Sequence, residues 1–264
     1  MGPLRSTLLV TLAIVCLTSG CAAAQPTGCD GLKDPSACTR ILFVGNSYTF
    51  VNDLPVVFAR LAASGGHLVE TGMVAAGGAT FADQVESSDV ITKLATVKWN
   101  VVVLQEQSQI PAVVASRTTE MYPNARLLVR RAQGSGARPM FFLTWAHRDG
   151  WPENGLPSYQ SMQAQLDAGY RGIADELHVP VAPVGDAWAA VVQADRAADL
   201  WQADGSHPTM TGTYLAACVF YASIFEQSPV GLGYSADLSG ETVRALQSAA
   251  AVEVIQNPQG WPKP

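Results

Sequence analysis

Length, composition and charge limit the kinds of protein that this chain can form. Its 264 residues suffice for one α/β domain with a substantial core, and a content of 48% hydrophobic and 14% charged residues excludes a disordered chain. The formal net charge of −6 argues against nucleic acid as a partner, because no stripe of Lys and Arg is available to neutralise phosphates.

The N-terminal residues 1–24 are predicted to form a signal peptide. Arg5 precedes an apolar stretch at 8–17, which is shorter than the roughly 20 residues that a membrane span requires. The small residues at 22–24 suit ordinary signal cleavage, whereas the sequence LTSGC suits a bacterial lipoprotein signal in which Cys21 carries the lipid. Both alternatives predict export, either free of the membrane or anchored to the cell envelope through a lipid on Cys21.

Cysteine positions predict one disulfide. Cys29 and Cys38 bracket a short loop within an N-terminal segment, 25–38, and disulfides persist outside the cytoplasm. Closing so short a loop stabilises a fold by about 2–3 kcal/mol, here by fixing the start of the first strand. Cys218 lies in an apolar helical sequence and is predicted to be a small buried residue.

Apolar runs then alternate with longer amphipathic stretches. The predicted strands are 40–44, 68–75, 100–105, 139–144 and 178–182. The predicted helices are 53–64, 81–95, 117–134, 158–177, 210–226 and 239–255. Continuous apolar strands are typical of strands covered on both faces, so the alternation predicts a parallel sheet of about five strands in a three-layer α/β/α fold. No linker divides the chain, which predicts one domain over 39–256 and a tail at 257–264.

In such a sheet, ligand sites form at the carboxyl ends of the strands. Four predicted strand ends lead into Ser47, into Gly77–Gly78, into 105–109 and into Trp145–His147, so we expect these segments on one edge of the sheet. Ser47 is either a nucleophile or an ordinary turn residue. A nucleophilic serine requires a histidine base that a carboxylate orients.

A base for the serine is found in the sequence DGSHPT. Of the four histidines, His67 and His178 precede strands and lie away from this edge, whereas His147 and His207 are placed to reach it. Asp204 and His207 are three positions apart, so they can meet in one turn and leave Nε2 of the ring free to face the serine. The same spacing also occurs in ordinary capping turns, so this segment alone leaves both interpretations open.

Four sequence blocks resemble the motif blocks of SGNH/GDSL-type serine hydrolases. In chain order they read VGNSYTF, AAGGATF, VVVLQEQSQ and DGSHPT, and the resemblance covers about residues 39–227. It implies a flavodoxin-like SGNH hydrolase fold and a triad of Ser47, His207 and Asp204. It also implies three oxyanion donors, namely the backbone N–H of Ser47, the backbone N–H of Gly78 and a side-chain amide from the third block.

Two blocks depart from the family pattern. Asn46 stands where Gly-Asp-Ser has Asp, and its side chain can still hydrogen-bond the turn. The third block lacks the usual Gly-x-Asn-Asp, and some carbohydrate-acetyl esterases of this clan also carry Gln and Glu there. Gln107 is our preferred amide donor, with Gln105 as the alternative and Gln109 on the same face. Glu106 either binds the backbone of the serine turn or is a buried acid with its hydrogen bonds satisfied.

The side chains predicted to contact substrate are Asn46, Trp145, His147 and Trp201. Trp145 and His147 follow the fourth strand, and their alternative roles are a tryptophan packed beneath a loop and an exposed histidine. Trp201 precedes Asp204 closely enough to line a pocket. The remaining candidates, Trp151 and Trp188, are predicted to be core or loop residues.

These features predict an exported serine esterase that uses no metal and no cofactor. No cluster of His, Cys and Asp has the spacing of a zinc site, and no phosphate-loop lysine follows the paired glycines. The predicted reaction is hydrolysis of short acyl esters, chiefly acetyl esters on carbohydrate. The alternatives are a short-chain carboxylesterase or lysophospholipase and a catalytically degenerate glycan-binding protein.

Overall fold

The computed structural model describes residues 1–2, 29–32, 34, 37–194, 199–256 and 261. Nearly all of the predicted signal peptide, including the proposed lipid site at Cys21, lies outside the described residues, as does most of the predicted tail. Within the described part of the chain, no helix is both long enough and apolar enough to cross a membrane.

A parallel sheet forms the centre of the molecule. Its five strands are β1 (Cys38–Gly45), β2 (Leu68–Ala75), β3 (Val101–Leu104), β4 (Arg138–Phe142) and β5 (Val181–Ala182). The strand order is β2-β1-β3-β4-β5, with every neighbouring pair parallel. The chain reverses its direction of winding between β1 and β3, and ligands bind outside the carboxyl ends of the strands at such a point.

Helices cover both faces of the sheet. They are α1 (Ser47–Phe50), α2 (Leu54–Ser64), α3 (Phe81–Glu86), α4 (Ser88–Thr96), α5 (Val114–Ser116), α6 (Tyr122–Gly134), α7 (Tyr159–Leu177), α8 (Val184–Gln193), α9 (Met210–Phe225) and α10 (Gly240–Ala251). A π-helical turn, Arg117–Met121, joins α5 to α6. The predicted three-layer α/β/α fold is therefore confirmed.

Several element boundaries differ from those predicted. The predicted helix 81–95 is divided at Ser87, whose extended backbone ends α3 and whose hydroxyl accepts the N–H of Val90 to cap α4. The fifth strand, predicted at 178–182, begins only at Val181, because His178 ends α7 in a left-handed conformation with a φ of 51°. Helix α8 was not predicted, since its largely apolar sequence begins only two residues after the short strand β5 ends.

The core lies on both faces of the sheet. Phe43 of β1 packs edge-on against Phe58 of α2 and Phe220 of α9, with ring centroids 5.9 and 5.3 Å apart. Helix α9 is buried around nearly its whole circumference, and Cys218 within it is fully buried, as predicted. Burial raises the pKa of the Cys218 thiol far above its usual range. The contacts of Phe43 with α2 and α9 hold β1, and the segment that follows it, on that face of the sheet.

The predicted disulfide between Cys29 and Cys38 is present, and it closes a loop at the amino end of β1. Beside it, the N–H of Cys29 donates to Glu70 of β2 at 2.8 Å, and the Arg40 guanidinium contacts both Glu70 and Asp30. The segment before β1 is thereby joined to the outer strand of the sheet.

Candidate active site

Ser47 begins α1, two residues after β1 ends at Gly45. A Cβ atom at position 45 would collide with Thr49 Oγ1 and Gln105 Oε1, so only glycine permits this close approach. Asn46 caps α1, because its Oδ1 accepts the N–H of Tyr48 at 3.1 Å. The serine therefore lies at the first position of a helical turn, at the carboxyl edge of the sheet.

The three residues of the predicted triad are in hydrogen-bonding contact. Ser47 Oγ lies 2.9 Å from Nε2 of His207, and Nδ1 of the same ring lies 2.6 Å from Oδ2 of Asp204. The other carboxylate oxygen, Oδ1, accepts the N–H groups of Ser206 and His207 at 2.9 and 3.0 Å. Chemically, this arrangement can take a proton from the serine and stabilise the resulting imidazolium ion.

The carboxylate of Asp204 stays ionised because of its hydrogen bonds. Partial burial alone would raise its pKa, but the backbone N–H of Ser206 and then the ring and backbone N–H of His207 outweigh that effect, and the pKa is lower than its ordinary value. An ionised carboxylate is what holds the imidazole in the tautomer with a free Nε2.

Three stacked aromatic rings, which we call the aromatic stack, support the Asp204–His207 turn. Tyr48 lies parallel to Trp145 with centroids 4.5 Å apart, and Trp145 lies parallel to Trp188 at 4.1 Å. The indole N–H of Trp145 donates to the carbonyl oxygen of Ser206 at 2.9 Å, and the Tyr48 hydroxyl meets the Ser206 hydroxyl at 2.7 Å. The rings thus connect the serine turn to the turn that carries the histidine.

A cleft of about 670 Å³ opens above the triad. Ser47, His207, Gly78 and His147 lie on its walls. Gly78 adopts a φ of 70°, which favours glycine, and its N–H, like that of Ser47, has no hydrogen-bond acceptor among the described residues. His147 is partly buried, which lowers the pKa of its imidazole, and its Nε2 lies 3.4 Å from Ser108 Oγ.

Solved structures similar to this chain include several hydrolases. A protein assigned to the SGNH hydrolases from Slackia heliotrinireducens is 29% identical, with a TM-score of 0.61 over 71% of this chain and 99% of that one. A DUF4886 family protein from Bacteroides uniformis is 19% identical, with a TM-score of 0.71 over 84% and 96% of the two chains. A variant of an acetyl-xylooligosaccharide esterase from Geobacillus is 17% identical, with a TM-score of 0.52 over 69% and 92%.

The chain has the SGNH/GDSL-type hydrolase fold. The resemblance that we inferred from four sequence blocks is thereby confirmed, and the SGNH hydrolase from Slackia heliotrinireducens supports a hydrolase. No model of a protein family and no curated protein matches the sequence. The contacts of Gln105, Glu106 and Gln107 define the roles of the variant third block in this SGNH-type chain.

Gln105 is a structural residue of the SGNH-type site. It is fully buried, and its Oε1 accepts the N–H of Asn46 and the hydroxyl of Thr49, both at 2.9 Å. Its Nε2 donates to Asn46 Oδ1 at 2.9 Å and to the carbonyl oxygen of Glu106 at 2.6 Å. Both amide hydrogens are used, so the alternative in which Gln105 is the oxyanion donor is wrong.

Asn46 completes the same buried network. Its Nδ2 donates to the carbonyl oxygen of Ala79, which ties the first block to the second. Although Asn46 borders the cleft, its side chain is 2% exposed and its donor and acceptor bond to the protein. The prediction that Asn46 contacts substrate is replaced by a role in holding the serine turn.

Gln107 lies on the cleft wall, and its amide group remains available. Its Oε1 accepts the N–H groups of Gln109 and Ile110 at 2.7 and 3.2 Å, which fixes the side chain. Its Nε2 makes one long contact, 3.4 Å to Gln109 Oε1. Among the three glutamines, Gln107 agrees best with the predicted oxyanion donor, because it lines the cleft and its amide nitrogen keeps an unused hydrogen on a side chain held at its oxygen.

Glu106 is a buried acid, one of its two predicted alternatives. Its Oε1 accepts the N–H of Phe81 at 2.9 Å and that of Gln107 at 2.7 Å, so it binds the start of α3 rather than the serine turn. Burial raises the pKa of this carboxyl to about 7, although both hydrogen bonds oppose the rise.

Trp145 and Trp201 lie beneath the cleft, so the prediction that they contact substrate is wrong. Trp145 is 0% exposed within the aromatic stack, and Trp201 is 8% exposed, with its indole N–H bonded to the carbonyl oxygen of Ala146 at 3.1 Å. His147, by contrast, faces the cleft as predicted. Sequence reasoning missed Tyr48 and Ser206, for which adjacency to the serine and the histidine was the available signal.

The described residues contain no candidate metal site. No group of three or more of their His, Cys, Asp or Glu side chains is arranged to hold a metal ion. Polar side chains of the cleft instead surround the Ser47 hydroxyl.

Proposed function

We propose that this chain is an exported serine esterase that hydrolyses short acyl esters, chiefly acetyl esters, of carbohydrates. The observation that carries the proposal is the continuous hydrogen-bonded series from Ser47 Oγ through the His207 ring to Asp204, with distances of 2.9 and 2.6 Å. The SGNH-type fold and the esterases among its structural neighbours support the reaction class. The sequence of the N-terminal residues 1–24 supports export.

The proposed reaction is acyl transfer to serine and then to water. Ser47 Oγ attacks the ester carbonyl carbon while His207 Nε2 takes its proton, and Asp204 stabilises the imidazolium. The carbonyl oxygen, now negative, accepts hydrogen bonds from the N–H of Ser47, the N–H of Gly78 and Nε2 of Gln107. Collapse breaks the bond to the alcohol, which leaves with the proton from His207.

Water completes the cycle. His207 takes a proton from a water molecule, which attacks the acyl carbon of the acyl-enzyme through a second tetrahedral intermediate. The bond to Ser47 Oγ breaks, the serine regains its proton from His207, and the short acid is released. Each step uses groups of this chain together with water.

The walls of the cleft favour a polar alcohol. Amide, hydroxyl and imidazole side chains surround the serine, among them Gln109, Gln202, Ser206 and His147. Burying an alkyl chain against these groups would leave their hydrogen bonds unmade, whereas sugar hydroxyls can satisfy them. One structural neighbour is described as an acetyl-xylooligosaccharide esterase, which is consistent with a carbohydrate ester as substrate.

Phe50 and Val51 favour a second candidate function. They form an apolar part of the cleft wall next to Ser47. A free short-chain ester or a lysophospholipid could use this part of the wall, which makes a short-chain carboxylesterase or lysophospholipase the alternative. A series of p-nitrophenyl esters of increasing acyl length, compared with acetylated oligosaccharides, distinguishes the two. Faster hydrolysis of the p-nitrophenyl esters than of the acetylated oligosaccharides would favour the alternative, and the acyl length preferred would separate its two forms.

Ser47→Ala tests the proposal. It should lower kcat for p-nitrophenyl acetate by about 10⁴–10⁶, as expected when the nucleophile of a triad is removed. A fluorophosphonate probe should label the wild type stoichiometrically at Ser47 and leave the variant unlabelled, while circular dichroism shows an unchanged fold. Ser64→Ala, at the far end of α2, is the matched control and should behave as the wild type. Turnover retained by Ser47→Ala would refute the assignment.

A further inference from the structure

A second cavity of about 340 Å³, which we call the side cavity, lies next to the cleft. Three residues, Gly78, Gln107 and Gln109, line both spaces. Since Gly78 and Gln107 are the proposed oxyanion donors, the side cavity begins at the position of the reacting carbonyl. A substrate that reacts at Ser47 can therefore extend into it.

Trp151 forms one wall of the side cavity. Its backbone is fixed, because its N–H donates to the carbonyl oxygen of Leu156 at 2.6 Å and its own carbonyl oxygen accepts the N–H of Leu156 at 3.2 Å. The ring is half-buried against the core. Its indole N–H bonds to no acceptor among the described residues. By contrast, the indole N–H groups of Trp145 and Trp201 are hydrogen-bonded and that of Trp188 is buried. Trp151 thus offers both a ring face and a free donor.

Ser116 of α5 and Glu120 of the π-helical turn give the side cavity polar lining, and Ile110 and Val113 give it apolar lining. Arg117 of the same turn points inward and donates to Gln165 Oε1 at 2.6 Å. The Glu120 carboxylate is exposed and forms no ion pair among the described residues. Single π-helical turns within helices occur frequently at functional sites, where they reorient side chains.

The side chains that line the side cavity favour a sugar ring over an alkyl chain as ligand. An alkyl chain placed in the side cavity would desolvate the Glu120 carboxylate and the Gln109 amide without giving them partners, which is unfavourable. A sugar ring instead presents an apolar C–H face for the Trp151 indole and hydroxyl groups for the carboxylate and the amide. The volume is near the lower end of the roughly 300–1,000 Å³ found for small-molecule sites, which suits a single ring.

We propose that the side cavity is a subsite for the sugar residue next to the acylated one in a neutral oligosaccharide. Trp151 stacks on that residue, and Glu120 accepts hydrogen bonds from its hydroxyls. The negative charge of Glu120 disfavours uronic acids at this position. The inference rests on the proposed function, because it assumes that Ser47 attacks an ester on a glycan.

Comparing acetylated xylotriose with acetylated methyl xyloside tests the subsite, because the two carry the same ester on a long and a short glycan. The wild type should show kcat/KM about tenfold higher for the trisaccharide, which corresponds to about 1.4 kcal/mol, because tryptophan is enriched among the residues that dominate binding. Trp151→Ala should bring this ratio close to one, whereas Trp151→Phe should retain most of it. Glu120→Gln should lower the ratio, and Glu153→Gln, which changes an exposed residue of the loop that carries Trp151, should leave it unchanged.

An unchanged ratio in Trp151→Ala would overturn the proposal. So would a wild type that shows no preference for trisaccharides of xylose, glucose or N-acetylglucosamine, or a Trp151→Ala variant whose selective defect is in hydrolysing long-chain p-nitrophenyl esters. If Trp151→Ala does not fold, Trp151→Phe and Glu120→Gln decide the outcome.

Binding of unreactive trisaccharides to an inactive variant tests the subsite independently of ester hydrolysis. Unacetylated xylotriose, cellotriose and chitotriose can be titrated against Ser47→Ala by isothermal titration calorimetry, whose signal does not depend on Trp151. Weaker binding after adding Trp151→Ala would support the subsite even if the wild type hydrolysed no ester, and unchanged binding would refute it.

Discussion

At the scale of single residues, Gln105 and Gln107 show how neighbouring amides take different roles. Strand alternation predicts that both side chains share a face. However, β3 ends at Leu104, so the two glutamines belong to a loop and the alternation does not apply. Gln105 turns inward to bond the serine turn, and Gln107 turns toward the cleft. The tertiary contacts of the loop, which strand periodicity does not encode, separate the two roles.

Gln107→Ala should lower kcat for p-nitrophenyl acetate by about 10²–10³, the usual effect of removing one oxyanion donor, with little change in the melting temperature. Gln107→Glu keeps an acceptor for the Gln109 and Ile110 N–H groups but removes the donor, so it should be equally slow. If Gln107→Glu retained the wild-type rate, the role of the side chain would be to shape the loop. Gln105→Ala, the matched comparison, should mainly reduce stability.

At the scale of elements, Glu106 joins the end of β3 to the start of α3. Because its pKa in the folded state, about 7, is higher than its ordinary value of 4.5, folding favours the protonated carboxyl. The folded state then binds more protons than the unfolded state between these two pH values. The stabilising contribution is complete below about pH 4.5 and is lost as the pH rises through about 7.

Glu106→Gln should therefore flatten part of the pH dependence of stability. The free energy of unfolding of the wild type should fall by about 2–4 kcal/mol more than that of the variant as the pH rises across this window, to about pH 8. Urea denaturation of both proteins at a series of pH values measures the difference. Other buried carboxyls, such as Asp167 and Glu253, affect both proteins alike, so parallel profiles would contradict the prediction.

Strands and helices with a clear hydrophobic pattern and clear boundary residues could be predicted from the sequence. The continuous apolar run of β1 located that strand, and the position of the serine after it followed. Helix α8 was missed although Pro183 follows β5 and Asp186 lies in the first turn of the helix, because β5 has two residues and the apolar sequence continues past it. The roles of Trp145 and Trp201 were missed for a related reason, since position at a strand end does not say whether a large ring points into the cleft or packs beneath it.

At the scale of the whole molecule, the sheet brings together groups that are far apart in the chain. The serine and its base are separated by 160 positions, and the order β2-β1-β3-β4-β5 places the segments after β1, β3 and β4 side by side. The disulfide lies at the amino end of β1, a full strand away from Ser47. Stability and activity should therefore respond differently to its loss.

Replacing both Cys29 and Cys38 by Ser should lower the free energy of unfolding by about 2–3 kcal/mol, as expected for a short closed loop. The kcat for p-nitrophenyl acetate should stay at the wild-type value under conditions where both proteins are folded. Urea denaturation and initial-rate kinetics measure the two effects, and reduction of the wild-type disulfide is a second route to the same state. A fall in kcat without a loss of stability would contradict this separation.

The pairing of Asn46 with Gln105 has a consequence for how chains of this kind can diverge. Gln105 Oε1 accepts the backbone N–H of Asn46 and Gln105 Nε2 donates to Asn46 Oδ1, between buried residues 59 positions apart in the chain. An aspartate at position 46 would place a carboxylate against the carbonyl oxygen of Ala79, which requires a donor. Gln105 Nε2 could still donate to such a carboxylate, so a change to the Gly-Asp-Ser form is expected to require a matching change in the segment that carries Ala79 rather than at Gln105.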